Sequence, residues 1–141
     1  MANTARKARP GENMRLVDAL GYKLPLAGLV SILHRGSGLV MFVLLPFIIW
    51  MFDTSLTSEI GYSQFTSVFT HGTGFLPGWF YKLVALALIW SYLHHLTAGI
   101  RHLWMDATHA VTKEFGRQSA IFTLAFSIVL TLALGVKLFF F

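Results

Sequence analysis

The stretch SYLHHLTAGIRHLWMDATH, Ser91 to His109, decides the fold of this chain and carries its densest chemistry. It follows the apolar run YKLVALALIW and contains four histidines, so it predicts a membrane-spanning helix with ionisable groups towards one end. In a continuous α-helix, His95 and His102 are seven residues apart and share a face, whereas His94 points about 100° away from His95. Ionisable side chains inside a membrane are costly and usually functional. These histidines are therefore the first candidates for a site.

Composition places the whole chain in a membrane. Of its 141 residues, 55% are hydrophobic and 12% are charged, whereas an average soluble domain is roughly 25% charged. Three stretches lack Asp, Glu, Lys and Arg over about 17 residues or more, which is enough to cross a hydrocarbon core about 30 Å thick. They comprise residues 36–52, 83–100 and 119–136. One small all-α domain of three helices is therefore predicted.

The predicted architecture is an integral membrane bundle of three transmembrane helices within residues 24–141, preceded by a cytoplasmic N-terminal arm over residues 1–23. The spans are expected at about residues 29–52, 80–105 and 118–139. Pro46 should bend the first span because it removes a helical hydrogen bond. The connection between the first two spans is rich in Ser, Thr and Gly, with apolar residues spaced for a short surface helix.

Basic residues predict the orientation. Nine of the eleven Lys and Arg residues, Arg101 among them, precede the first span or join the second to the third, and only Lys82 and Lys137 lie on the opposite side. The positive-inside rule therefore places the N-terminus in the cytoplasm and the C-terminus in the periplasm. The first 23 residues contain no apolar signal region and no serine, so neither a secretory signal nor a mitochondrial transit peptide is expected. A bacterial inner (cytoplasmic) membrane is the predicted location of this multi-pass protein.

The same composition excludes other classes of partner. The formal net charge of +5 comes from basic residues in the loops on one side of the membrane, not from a basic face of a soluble domain. Contact with membrane lipid is therefore expected, and binding of nucleic acid is not. The chain has no cysteine and cannot hold a thiolate-ligated iron–sulfur cluster. Any such cluster must belong to a partner.

His95 is the candidate haem ligand. It lies six residues before Arg101, about 9 Å along a helix from the cytoplasmic charge layer. Gly99, one turn later, has no side chain and so leaves room for a flat macrocycle against the helix. A neutral imidazole beside such a gap suits axial ligation of a b-type haem. The alternative is that His95 bonds to a neighbouring helix.

The neighbouring histidines have different expected roles. His94 faces another direction, and a hydrogen bond to a neighbouring helix is favoured for it. His102 is two turns from His95, roughly 10 Å, which is too far to bind the same iron but suits the propionate edge of a haem. Both axial ligands cannot come from one helix, so the second is expected from another chain. Asp106 and His109 follow on the cytoplasmic side. They could relay protons, but a solvated pair is the favoured interpretation.

The first span carries a second polar group, SILHRGSG, from Ser31 to Gly38. Ser31 and Arg35 are spaced i, i+4 and share a face, so their donors can hold a carbonyl oxygen of a quinone. His34 is positioned to pair with a haem propionate. The alternatives are a membrane anchor for Arg35 and helix packing or backbone bonding for Ser31.

The third span has small residues at every fourth position, which lets another helix approach closely. This ridge can pack either within the chain or against a neighbouring subunit. Its members are Ser119, Thr123, Ser127, Thr131 and Gly135.

Together, SILHRGSG and HHLTAGIRHLWMDATH resemble the cytochrome b membrane-anchor subunits of bacterial succinate dehydrogenase, respiratory complex II. The resemblance also includes Arg9 and Pro10, and departs from many relatives in the following residues, GENMRL in this chain. It implies a heterotetramer of a flavoprotein subunit, an iron–sulfur subunit and two small membrane-anchor subunits, this chain being one of them. It further implies haem b as a cofactor shared with the second anchor subunit, and ubiquinone as the substrate.

Residue by residue, the resemblance assigns five positions. It implies that His95 is an axial ligand of the haem iron and that a histidine of the second anchor subunit is the other. Ser31 and Arg35 match residues that line the ubiquinone pocket, and His34 and His102 match histidines of the haem propionate region.

The expected function is therefore that of a subunit of succinate:ubiquinone oxidoreductase that catalyses nothing alone. Alternatives are the anchor subunit of a quinol:fumarate reductase and a haem-free structural anchor. A proton-coupled transporter would predict an intramembrane acid or an internal repeat, but all six acids lie outside the apolar spans.

Overall fold

The computed structural model describes residues 24–140, so the predicted cytoplasmic arm over residues 1–23 lies outside the described part of the chain. The described part is entirely helical apart from its connections, which confirms the all-α prediction. Three of its helices are long and apolar enough to cross a membrane, namely α1, α4 and α5 as defined here. The helices are α1 (Leu26–Val43), α2 (Leu45–Thr57), α3 (Glu59–Thr70), α4 (Gly78–Thr108) and α5 (Lys113–Phe140).

The first apolar segment is interrupted at a single residue. The predicted span over about residues 29–52 divides at Leu44, whose φ of −88° and ψ of 6° end α1. Pro46 then occupies the first turn of α2, and its missing N–H group cannot bond to the carbonyl of Phe42, as the sequence predicted. Helical bonds continue on both sides, from the Leu44 amide to the Val40 carbonyl and from the Ile48 amide to the Leu44 carbonyl, each at 3.0 Å.

The connection between the spans contains the predicted surface helix. α3 begins after Ser58, whose side chain accepts a hydrogen bond from the Gly61 amide at 3.0 Å, and Glu59 in its first turn suits the positive end of the helix dipole. Beyond α3, Gly72 has a φ of 84° and Gly78 lies against the carbonyl of Phe69. These two glycines allow the tight return into α4.

α4 and α5 pack along a seam of small and polar side chains. Gly135 abuts Leu86, where an added Cβ would lie 2.9 Å from the leucine Cδ1. The predicted ridge of α5 faces this seam, so it packs within the chain and Ser119 alone of its members is only half-buried. The buried residues of α5 are Gly116, Ala120, Thr123, Ser127, Thr131 and Gly135. Those of α4 are Gly78, Leu88, Ser91, His94, Ala98 and Arg101.

The apolar core is correspondingly small. It is centred on Val30, Ala98 and Ala120, one from each long helix, with Leu124 packed against them. Large apolar side chains instead cover the outside of the bundle, including Phe42 at 74% and Phe122 at 62% exposed. Such a surface suits lipid and the helices of partner subunits.

Candidate functional site

Three of the sequence-predicted histidines lie together between α1 and α4. The rings of His34 and His95 stack with their centroids 4.1 Å apart and their planes inclined by 20°. The ring of His102 lies 5.3 Å from that of His34, inclined by 55°. The helical spacing that puts His95 and His102 on one face of α4 thus directs both towards His34 of α1.

The ring of His95 is held by α1. Its Nδ1 lies 3.0 Å from the backbone carbonyl oxygen of His34 and 3.2 Å from the Ser37 hydroxyl. Ser37 donates its own proton to the same carbonyl at 2.8 Å, so both neighbours of Nδ1 act as acceptors and Nδ1 carries the proton. In the neutral imidazole, Nε2 then keeps a free lone pair. Histidines that bind metals are oriented in this way by a carbonyl on the other nitrogen.

Two glycines let the helices approach at this point. A Cβ at Gly38 would lie 3.1 Å from Cε1 of His95, tighter than ordinary contact, so Gly38 provides the space for that ring. A Cβ at Gly99 would lie 3.6 Å from Nε2 of His34. The space expected at Gly99 therefore faces His34, and Gly38 of α1 is the glycine that contacts the His95 ring.

The candidate quinone residues sit on the same helix as His34. Ser31 is half-buried and Arg35 is exposed, one turn apart on α1. Within residues 24–140, no carboxylate forms an ion pair with Arg35. Arg35 is therefore an exposed cation in the middle of α1, next to His34 of the histidine cluster.

The comparison with known proteins identifies the family. The model of the succinate dehydrogenase/fumarate reductase transmembrane subunit matches residues 11–134. The chain belongs to this family. The match includes all of α1 and α4, and so both polar groups described above. Together with the three long apolar helices, it confirms the predicted multi-pass location in a bacterial inner membrane.

Bacterial relatives are similar along most of their length. The succinate dehydrogenase cytochrome b556 subunit of Paracoccus denitrificans is 28% identical over 120 residues, covering 85% of this chain and 87% of the relative. That of Coxiella burnetii is 29% identical over 120 residues, covering 85% and 91%. That of Rickettsia felis is 27% identical over 115 residues, covering 82% and 84%. These names confirm the resemblance drawn from the sequence.

His94 faces away from the histidine cluster. It is fully buried, its Nδ1 lies 3.2 Å from the Ser127 hydroxyl of α5, and its ring stacks on Trp90 with the centroids 5.4 Å apart. The expected hydrogen bond to a neighbouring helix is thus confirmed. Nε2 of His94 and the hydroxyl of Ser91 are buried and have no hydrogen-bond partner among the described residues.

Arg101 lies within α4, as the predicted span over about residues 80–105 implies. Its burial was not predicted, since the side chain is only 8% exposed. Its Nε donates to the Ser119 hydroxyl at 2.9 Å and its Nη2 to the Gly116 carbonyl at 3.2 Å. The signal that could have placed it is the spacing of seven residues from His94, which puts both on the face towards α5.

The remaining polar residues at this end are solvent-facing. Asp106 and His109 are both exposed, which agrees with the solvated pair favoured from the sequence. His109 ends α4 in the left-handed conformation, with a φ of 53°. Neither side chain makes a hydrogen bond to another described residue, so their part in a proton relay stays untested.

Proposed function

We propose that this chain is the cytochrome b membrane anchor of a bacterial succinate dehydrogenase, and that it binds one face of a b-type haem through His95. The observation that carries the proposal is the hydrogen bond from Nδ1 of His95 to the His34 carbonyl, which leaves Nε2 available to a metal. When bound, the haem supplies one-electron chemistry. The names of the relatives, which include cytochrome b556, support this reading.

The chain's own residues fit such a group. His95 is only half-buried although it packs between two helices, so a partner helix carrying the second axial histidine has access to the same region. His34 and His102 flank it with rings within 5.3 Å of each other. Imidazole N–H groups at this edge can donate hydrogen bonds to propionate oxygens.

Ser31 and Arg35 are proposed to bind ubiquinone. They lie one turn apart on α1, so the serine hydroxyl and the guanidinium can donate to the same carbonyl oxygen of the quinone ring. Donors fixed at that oxygen stabilise the negative charge that develops during reduction. Protons would reach the site from the nearby cytoplasm, on the topology predicted from the basic residues.

The proposed partners follow from what this chain lacks. It has no cysteine for an iron–sulfur cluster, and the resemblance to succinate dehydrogenase anchors implies a flavoprotein subunit and an iron–sulfur subunit that deliver the electrons from succinate. A second small anchor subunit would cover the exposed apolar helix faces. The family description also names fumarate reductase, but the relatives named above are succinate dehydrogenase subunits, which favours succinate oxidation.

Affinity purification tests the proposal as a whole. A tagged chain, extracted from its native membrane in mild detergent, should copurify with a flavoprotein, a cysteine-rich iron–sulfur protein and a second small membrane protein. The preparation should reduce ubiquinone with succinate and show a reduced b-type absorption band. Recovery of the chain without the two hydrophilic subunits would contradict the proposal.

Gly38→Ala should disturb the haem without preventing assembly. The added Cβ would lie 3.1 Å from Cε1 of His95, so the ring must shift by a few tenths of an ångström relative to the His34 carbonyl. We expect a displaced reduced absorption band or a changed haem midpoint potential, measured on the purified complex. Gly36→Ala is the matched control, because no atom lies within 4 Å of its added Cβ. Identical spectra and potentials for the two variants would argue against His95 as the ligand.

A further inference from the structure

A groove between α4 and α5 lies on the opposite side of α4 from the histidine cluster. It encloses about 530 Å³ and its walls are almost entirely apolar. The polar residues that line the groove are Arg101, Ser119 and two threonines. The six large apolar residues along it are Leu96, Ile100, Trp104, Phe115, Phe122 and Phe126.

The charge of Arg101 is not balanced within the described chain. The side chain is 8% exposed, and its two hydrogen bonds go to neutral acceptors, the Ser119 hydroxyl and the Gly116 carbonyl. A guanidinium group has five N–H donors, so these bonds leave further donors for a ligand. No carboxylate among residues 24–140 forms an ion pair with it. A buried cation without an anion is strongly unfavourable, which indicates an anionic occupant.

The position of the groove identifies the kind of anion. Gly116 and Ser119 belong to the first two turns of α5, so Arg101 is level with the membrane end at which Lys113 and Arg117 are exposed. Trp104, in the same groove, is 60% exposed and is typical of the headgroup region. A phosphate bound at Arg101 would thus lie at the headgroup level, and the apolar part of the same groove would lie at the depth of the acyl chains. A free inorganic phosphate would leave the apolar part of the groove empty.

We propose that this groove binds one anionic phospholipid of the cytoplasmic leaflet. The phosphate accepts hydrogen bonds from Arg101, for which the planar guanidinium is well suited, and one acyl chain lies along the aromatic side chains of α5. Because Arg101 has no carboxylate partner among residues 24–140, a headgroup with a net negative charge is favoured over a zwitterionic one. The site uses residues of this chain alone and does not depend on the haem or the quinone.

Lipid retention by the purified complex tests the site. After detergent exchange removes loosely bound lipid, the wild-type complex should rebind one phosphatidylglycerol per copy of this chain, measured by native mass spectrometry. Arg101→Gln should weaken that binding about tenfold or more, since a charge-assisted hydrogen bond is lost. Arg117→Gln, at an exposed position of α5, is the matched control and should change binding by less than about threefold.

A second variant keeps the test decisive if Arg101→Gln does not assemble. Ile100→Trp leaves the arginine in place and fills the groove from a residue that is 58% exposed, so the complex should assemble and lose the bound phosphatidylglycerol. The proposal is overturned if either assembled variant retains the lipid with wild-type affinity. It is also overturned if phosphatidylcholine binds as tightly as phosphatidylglycerol, or if the wild-type complex rebinds neither because a partner helix fills the groove.

Discussion

Replacing His95 with alanine should abolish the b-type absorption band of the purified complex. The imidazole is oriented by the His34 carbonyl at 3.0 Å, and alanine removes the proposed ligand of the iron. Oxidation of succinate by an artificial dye should continue, because in the proposed complex that reaction needs only the hydrophilic subunits. Reduced-minus-oxidised spectra, normalised to flavin content, measure the effect.

His94→Gln is the matched control for this experiment. The two histidines are adjacent, but His94 is enclosed against Ser127 of α5, and a glutamine amide can retain a hydrogen bond to that hydroxyl. The control should keep the haem band and lose at most some thermal stability. A band that survives in His95→Ala, or one that disappears only in His94→Gln, would show that the wrong histidine has been assigned to the iron.

Arg35→Lys should impair reduction of ubiquinone by succinate about tenfold or more while the haem band remains. Lysine keeps the positive charge but loses the planar, forked donors that would hold a quinone oxygen together with Ser31. Because Arg35 is exposed on α1, the substitution should leave folding intact. Steady-state quinone reduction, compared with dye reduction in the same preparation, gives the measurement.

Arg117→Lys provides the comparison for that variant, since it makes the same chemical change at an exposed position of α5. It should leave quinone reduction unchanged. If Arg35→Lys also turns over quinone at the wild-type rate, the guanidinium is a membrane anchor and the quinone contact lies elsewhere.

Periodicity predicted much of this architecture because a helix repeats its faces in a simple way. Three apolar stretches predicted the three long helices, and the 100° rotation between adjacent residues separated His94 from His95 before any contact was known. The break at Leu44 was harder to foresee. Pro46 signalled an interruption, but whether the chain bends or starts a new helix depends on where the backbone leaves helical geometry.

The contacts that orient the site could not be predicted from one helix at a time. Ser37 and Gly38 matter because α1 meets α4 at His95, and nothing in their local sequence specifies that crossing. The burial of Arg101 was missed for a related reason: its charge was used only to predict topology, whereas its contacts with Ser119 and Gly116 depend on how α5 packs against α4. The residues that complete the haem site are expected on another chain and leave no pattern in this one.

The hydrogen bond between His95 and the His34 carbonyl bears on the order of assembly. Both groups belong to the same polypeptide, so the packing of α1 against α4 is enough to orient the imidazole. If His95 binds the proposed haem, this chain's part of the site is already ordered, and binding costs little further conformational entropy there. The proposed second anchor would then need to order only its own ligand.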